Sequence, residues 1–426
     1  MIAAQVLQIL IRVKRRPLRQ VGHWRTRLVR PSAFPSLSNT TTQETNVTVQ
    51  PPQARPFLRR AAAGAALSAW LAGAGAAQGE EIVIGQSVAL SGPDADIGRD
   101  MRDGAAAVFA RANAAGAGPR IRLMTLDNAN DRHRAEENTQ ALLNAGALAL
   151  FGYNSATNSV DAVALAEKDG MLFFAPFTGS TKLRGNANVY TVRASYREEA
   201  AKIIEAKRQV GATRAVVLYY DDEVGRSNYE TVAAAFVDAG LARPAGVAVR
   251  RGAAVTPATV AELRKETPHY IFATTQYGAL RDLLRIAGQD GAPPSIAALS
   301  FVNPDELVES VGPLARGVIV SQVIPAPRMA NEVSLPVVHE CADALKAYNG
   351  ARLDYTALES CIAAKTLVLA LHHAGPKPTR EGLLHAMATL GRVDLGGYVM
   401  NFGPASRQGS NWVDLTILSR GDRYVR

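Results

Sequence analysis

Hydroxyl and amide side chains gather in three short stretches of this chain: Ser91-Gly92, Asn154-Ser155-Ala156-Thr157 and Thr178-Gly179-Ser180-Thr181. Each follows an apolar run and precedes, or can precede, a helical one. Backbone N–H groups and hydroxyls at a helix start, where the peptide dipoles present their positive end, suit a carboxylate or another small anion. Ser and Thr there also serve as plain N-caps. One such loop carries little information, but several converging on one edge form an anion-binding wall. Asp221-Asp222-Glu223 has the composition of an acid/base or metal pair, yet adjacent acids at a strand end more often cap the next helix. His372-His373 lies among apolar helical neighbours and reads as a packed or surface pair. Nucleophile chemistry lacks its signature, because Ser155 is followed by Ala156-Thr157 and no G-x-S-x-G elbow occurs. There is no P-loop, and no Cys/His spacing of a zinc site. The residues therefore point to binding, with no enzyme activity, metal or cofactor expected.

The elements that would position these loops alternate in β-α order. Ile82 to Leu90 is a strand, and residues 97–115 form a helix ending near Gly116. Strands over 121–126, 148–151, 171–175 and 189–192 alternate with helices over 133–145 and up to Lys168. A second series follows, with helices at 196–209, 225–239, 257–266, 277–288 and 304–311. Its strands are 215–219, 245–249, 270–273, 296–300 and 317–323. Helices near 331–348, 356–374 and 379–389 come next, then strands near 397–402 and 412–418. Short connections between alternating elements call for parallel sheets with right-handed crossovers. The fold class is α/β, with two Rossmann-like lobes and a ligand cleft between them.

Composition narrows the partners. The 426 residues carry a formal charge of +9, but 11 Lys/Arg against two acids fall in residues 1–80. Removing these from the 47 basic and 38 acidic residues leaves 36 of each in 81–426. The body is neutral, which gives no case for nucleic acid. Residues 56–77 join Arg59-Arg60 to an Ala/Gly-rich apolar run, the pattern of a cleavable secretory signal, and imply a periplasmic location. Residues 1–55 are basic and then Ser/Thr/Pro-rich, fitting a disordered extension or an over-long start. Cys341 and Cys361 are the two cysteines; in an exported chain they are expected to pair, two buried thiols being the other reading.

The chain resembles the type I periplasmic solute-binding proteins of the leucine/isoleucine/valine-binding family, over about 82–420. The resemblance rests on Ile82-Val83-Ile84-Gly85, Leu90-Ser91-Gly92-Pro93, Gly98, Gly104-Ala105, Asp127-Asn128 and Phe151-Gly152. It continues through Gly170, Ala175-Pro176, Tyr220-Asp221-Asp222, Gly225 and Gly317-Val318. It implies two lobes joined by three crossings, placed near 194–196, 322–326 and 390–396. The first lobe would then combine 81–195 with 325–392, and the second 196–324 with 393–426. It also implies hinge closure on a small ligand and delivery to an ABC permease, by a monomer.

By the same resemblance, Asn154, Ser155 and Ala156, with Phe177, Thr178 and Gly179, take a ligand carboxylate. Ile97 stands where an aromatic commonly packs on the ligand, and Thr275 or Gln276 where a tyrosine does. Ser300 occupies the place of the acid that pairs with an amino-acid ammonium, unless Asp222 or Glu223 reaches it. The ligand is expected to be an amino acid or a small organic acid, an aromatic acid being suited to Phe177, Tyr196 and Phe301. The rival readings are a sensory module of the same fold, which would need an output or transmembrane segment not expected after 413–426, and an enzyme on this scaffold.

Overall fold

A computed structural model describes residues 81–116, 118–289, 295–327, 334–419 and 424–425. The leader and the extension before it lie outside the described residues.

The first lobe opens with β1 (Glu81–Val88), α1 (Ala95–Ala115), β2 (Arg120–Asp127), α2 (Arg132–Asn144), β3 (Ala149–Phe151), α3 (Ala156–Lys168), β4 (Leu172–Phe174) and β5 (Val189–Tyr190). Its strands form one parallel sheet in the order β2-β1-β3-β4-β5. The second lobe follows with α4 (Tyr196–Gln209), β6 (Ala215–Tyr220), α5 (Glu223–Asp238), β7 (Ala245–Val249), α6 (Pro257–Lys265) and β8 (Tyr270–Ala273). It continues with α7 (Tyr277–Gln289), β9 (Ile296–Ala298), α8 (Pro304–Val311) and β10 (Ile319–Gln322). Here β7-β6-β8-β9-β10 are parallel neighbours, which repeats the order of the first sheet. The remainder is α9 (Pro336–Asn349), α10 (Tyr355–Ala374), α11 (Arg380–Ala388), β11 (Gly391–Asp394), β12 (Val399–Phe402), β13 (Asp414–Leu418) and β14 (Tyr424–Val425). β13 joins β10 antiparallel, and β14 extends that edge.

Helix starts follow their caps. Ser195 accepts the Glu198 N–H while the Glu198 carboxylate accepts the Ser195 N–H, which fixes the first turn of α4. Thr256 and Thr259 pair reciprocally at the start of α6, while Asp131, Asp222, Asn303, Asp354 and Thr379 each cap their helix through the side-chain acceptor alone. In the first lobe the strands bury Ile84, Phe151 and Phe174 against α1 and α10. Gly104 permits that approach, because a Cβ there would lie 2.3 Å from the Ala357 carbonyl oxygen of α10. A disulfide joins Cys341 of α9 to Cys361 of α10, as the cysteine count led one to expect.

One expectation needs correction. The third crossing is not at 390–396, since β11 pairs there with β12 in a hairpin. Val393, Leu395, Tyr398, Met400 and Phe402 belong to the first lobe's core, so the chain passes to the second lobe between β12 and β13. The reason is apolar: the alternating side chains of this hairpin join the first lobe's core, where the Phe402 ring meets those of Phe174 and Tyr190 with centroids 6.4 and 6.3 Å apart. The first and third crossings run side by side, with the Thr191 N–H donating to the Arg407 carbonyl at 2.9 Å and the Gly409 N–H to the Thr191 carbonyl at 2.7 Å. The Tyr398 hydroxyl donates to the Val323 carbonyl at 3.0 Å, tying in the second.

Candidate functional site

In both sheets the chain leaves the first strand outward and returns on its other side, so the loops after β1 and β3, and after β6 and β8, diverge. Ligands of open α/β sheets bind in the crevice made at such a reversal, beyond the carboxyl ends of the strands. The two crevices share one cavity, enclosing about 630 Å3 with its open mouth.

From the first lobe come Asp94 and Ile97 after β1, Asn154 to Thr157 after β3, and Phe177 and Thr178 after β4. Ser155 holds φ +68°, a backbone region that non-glycine residues rarely adopt, and its side chain does not cap α3. The first turn of α3, through Ala156 and Thr157, is thus part of the wall with its leading N–H groups uncapped by Ser155. Thr157 Oγ1 is buried without a partner. A network of amides stiffens this wall. Asn128 Nδ2 donates to Asn154 Oδ1 at 2.9 Å, Asn158 Nδ2 to Asn130 Oδ1 at 2.9 Å, and Asn130 Nδ2 to Asp94 Oδ2 at 2.5 Å. Burial raises the Asp94 pKa, against the Asn130 bond and the charge of Arg251.

The second lobe supplies Tyr220, Val224 and Asn228 after β6, Arg251 after β7, Thr274, Gln276 and Tyr277 after β8, and Phe301 after β9. Arg251 is held from the ends of β6 and β8. Its Nε donates to Asp222 Oδ2 at 2.7 Å, its Nη2 to Asp222 Oδ1 at 3.3 Å and its Nη1 to Gln276 Oε1 at 3.3 Å. The guanidinium lies 4.1 Å from the Tyr220 ring centroid, within cation–π range. Burial opposes charge on Asp222, but the bonds from Arg251 and the Gly225 N–H outweigh it and lower its pKa.

The structure brings Ile97, Asn154, Ser155, Ala156, Phe177, Thr178 and Gln276 together at this cavity. Gly179, Asp222 and Ser300 do not line it. Gly179 sits against the crossing, its carbonyl accepting the Tyr196 N–H at 3.0 Å. A Cβ there would fall 2.5 Å from the Tyr196 ring. No helix follows Thr178-Gly179-Ser180-Thr181, contrary to one expectation; the loop turns back into β5. Ser91 is likewise absent from the wall, its hydroxyl donating to Asp127 Oδ2 at 2.6 Å. Asp222 caps α5 and grips Arg251. Glu223 is exposed and accepts from Lys182 Nζ at 2.8 Å across the cleft, so neither acid replaces the one expected at Ser300.

Ser300 has another task. Its N–H and hydroxyl both donate to Glu199, at 2.9 and 3.1 Å, and the Ser321 hydroxyl donates to the same carboxylate at 2.6 Å. Glu199 is fully buried, and Arg193, also fully buried, pairs with Glu359 at 2.8 Å. Burial pushes the Glu199 pKa up, while Arg193 and the serine bonds pull against it. The Arg193 guanidinium stands 4.4 Å from the Phe177 ring, one aromatic of the cavity. Tyr196 and Phe301 meet edge to face beside it, with centroids 5.6 Å apart.

Sequence reasoning missed Asp94, Asn228 and Arg251 as cavity residues. The signal available was charge at a strand end, in Pro93-Asp94 after β1 and Arg250-Arg251-Gly252 after β7. Among the described residues, no cluster of three His, Cys, Asp or Glu could hold a metal ion.

Comparison with known proteins agrees with this architecture. The model of a family described as periplasmic binding protein matches residues 81–416. A possible leucine/isoleucine/valine-binding protein from Rhodopirellula baltica SH 1 is 28% identical with a TM-score of 0.77, over 82% of this chain and 97% of that one. A substrate-binding periplasmic protein from Ralstonia solanacearum is 27% identical with a TM-score of 0.72, over 79% and 97%. A branched chain amino acid ABC transporter from Thermus thermophilus with bound valine shares the fold, with 16% identity and a TM-score of 0.70 over 82% and 95%. No curated protein matches the sequence. The repeated strand order and the match over 81–416 lead to one conclusion: the chain belongs to the periplasmic binding protein family.

Proposed function

We propose that this protein captures a small carboxylate-bearing metabolite in the periplasm, closes its two lobes on it and delivers it to the permease of an ABC importer. The observation that carries the reading is the first turn of α3. It is uncapped by Ser155, walls the cavity with Ala156 and Thr157, and lies beside the Thr178 hydroxyl. Such a turn places N–H donors and the positive end of a helix at a carboxylate. The relative with bound valine supports a small-molecule ligand.

Native mass spectrometry of the protein purified from the periplasm, with a thermal-shift screen of amino acids and organic acids, tests it. Binding stabilises the folded state by RT ln(1 + [L]/Kd), about 4 kcal/mol at a thousandfold excess over Kd. The expected result is a bound acid and a raised melting temperature with that compound. A protein that carries no ligand and responds to no acid overturns the reading.

A further inference from the structure

Each lobe presents one ionisable charge to the cavity: Asp94 from the first and Arg251 from the second. They are close enough that Arg251 acts on the Asp94 carboxyl. Arg251 is pre-positioned by Asp222, Gln276 and Tyr220, so its fork is aimed before any ligand arrives. Asp94 is tied to the anion-binding turn through Asn130, which bonds both Asp94 and Asn158 in that turn. Asn228 Oδ1, on the second lobe's wall, is an acceptor buried without a partner, in a residue only 8% exposed.

Closing the cleft on an aliphatic amino acid would leave the remaining N–H groups of Arg251 facing hydrocarbon, and closing it on a plain acid would leave Asp94 with the Asn130 amide alone and Asn228 Oδ1 with no donor. Buried polar groups left unpaired weigh against both. Resting on the transport reading above, we propose that the ligand is an amino acid whose side chain ends in a carboxylate or amide. Its α-carboxylate lies on the first turn of α3, its ammonium between Asp94 and Asn228, and its side-chain terminus on Arg251. Asp94 thereby supplies, from the β1 loop, the acid that Ser300 does not. Burial has already raised the Asp94 pKa, so a cationic partner there is the natural stabiliser of its charged form.

Calorimetric titration of the full chain with glutamate, glutamine, leucine and glutarate tests this. Glutamate or glutamine is expected to bind about a hundredfold tighter than leucine or glutarate, since a site built for hydrogen bonds rejects analogues that lack them. Asp94→Asn should weaken glutamate and glutamine about tenfold or more while not weakening glutarate, which has no ammonium to lose its partner. Arg251→Gln should collapse the preference over leucine, whereas a merely structural role would weaken all four alike. Leucine binding as tightly as glutamate, glutarate matching glutamate, or silence from all four overturns the proposal. A co-purified acid without an amine would also overturn it, while leaving the transport reading in place.

Discussion

Two hydroxyls that look alike in the sequence carry different burdens in the fold. Ser155 caps nothing, so Ser155→Ala should leave the melting temperature without ligand unchanged and weaken ligand binding about tenfold, or about 1.4 kcal/mol. Thr178 is buried, pairs with the Tyr196 hydroxyl at 2.9 Å and accepts the Ser180 N–H at 3.2 Å. Thr178→Val orphans both, so it should cost about 1–3 kcal/mol of stability before any ligand is added. Thermal melts of the two unliganded variants, run beside the parent, separate these roles. Equal melting temperatures for both would show that the Thr178 bonds contribute nothing.

At the scale of elements, α1 and α10 meet so closely that the contact leaves no room for a side chain at Gly104. Gly104→Val should destabilise the first lobe by about 3 kcal/mol, the upper range for overpacking. The measurement is denaturant unfolding, and a midpoint within error of the parent's would argue against this packing. The bridge between α9 and α10 links residues 20 apart in sequence. Replacing both cysteines by alanine should cost about 3 kcal/mol if chain entropy dominates, read in the same titration without reductant.

Across the whole molecule, carboxyls from both lobes crowd one edge of the cleft. Burial first, then Asp354, pushes Asp100 up to about 8. Burial first, then Asp96, Asp94 and Asp354 across the cleft, pushes Glu306 up to about 7. Asn303 of α8 donates to Asp354 of α10 at 2.5 Å, spanning the lobes. Folded pKa values above the unfolded ones mean that the folded state holds these protons more tightly. Their contribution is therefore present in full below about pH 4 and is lost as pH rises through about 7 to 8. Asp127 works the other way. Burial would raise it, but bonds from the Ser91 hydroxyl and the Leu90, Ala129 and Ser91 N–H groups bring it to about 2. That contribution is present above about pH 4 and lost as pH falls towards 2. The melting temperature should therefore peak near pH 4–6 and decline towards pH 8.5. Asp100→Asn should flatten the alkaline limb, and an unchanged slope in that variant would rule Asp100 out as its source.

Much of the scaffold was legible from residue order alone. Apolar runs ending in Ser, Asn or Thr, with helical periodicity after them, specify α4, β7, β8 and α8 at their observed bounds, because period and caps are local properties. The strand-end positions of Ile97, Asn154, Ser155, Phe177 and Thr178 follow from the same locality. Partnership across the chain did not. Nothing in Leu299-Ser300-Phe301 announces that Ser300 binds Glu199, 101 residues earlier. Nothing in Arg250-Arg251 distinguishes a solvated arginine from one gripped by Asp222 and laid on Tyr220. The apolar alternation of β11 and β12 says that this hairpin must be buried, but not against which lobe. Sequence by itself determined which segments alternate and which loops end up at strand termini. The tertiary structure alone decided which charges face the cleft, since pairing and desolvation depend on neighbours brought together only by folding.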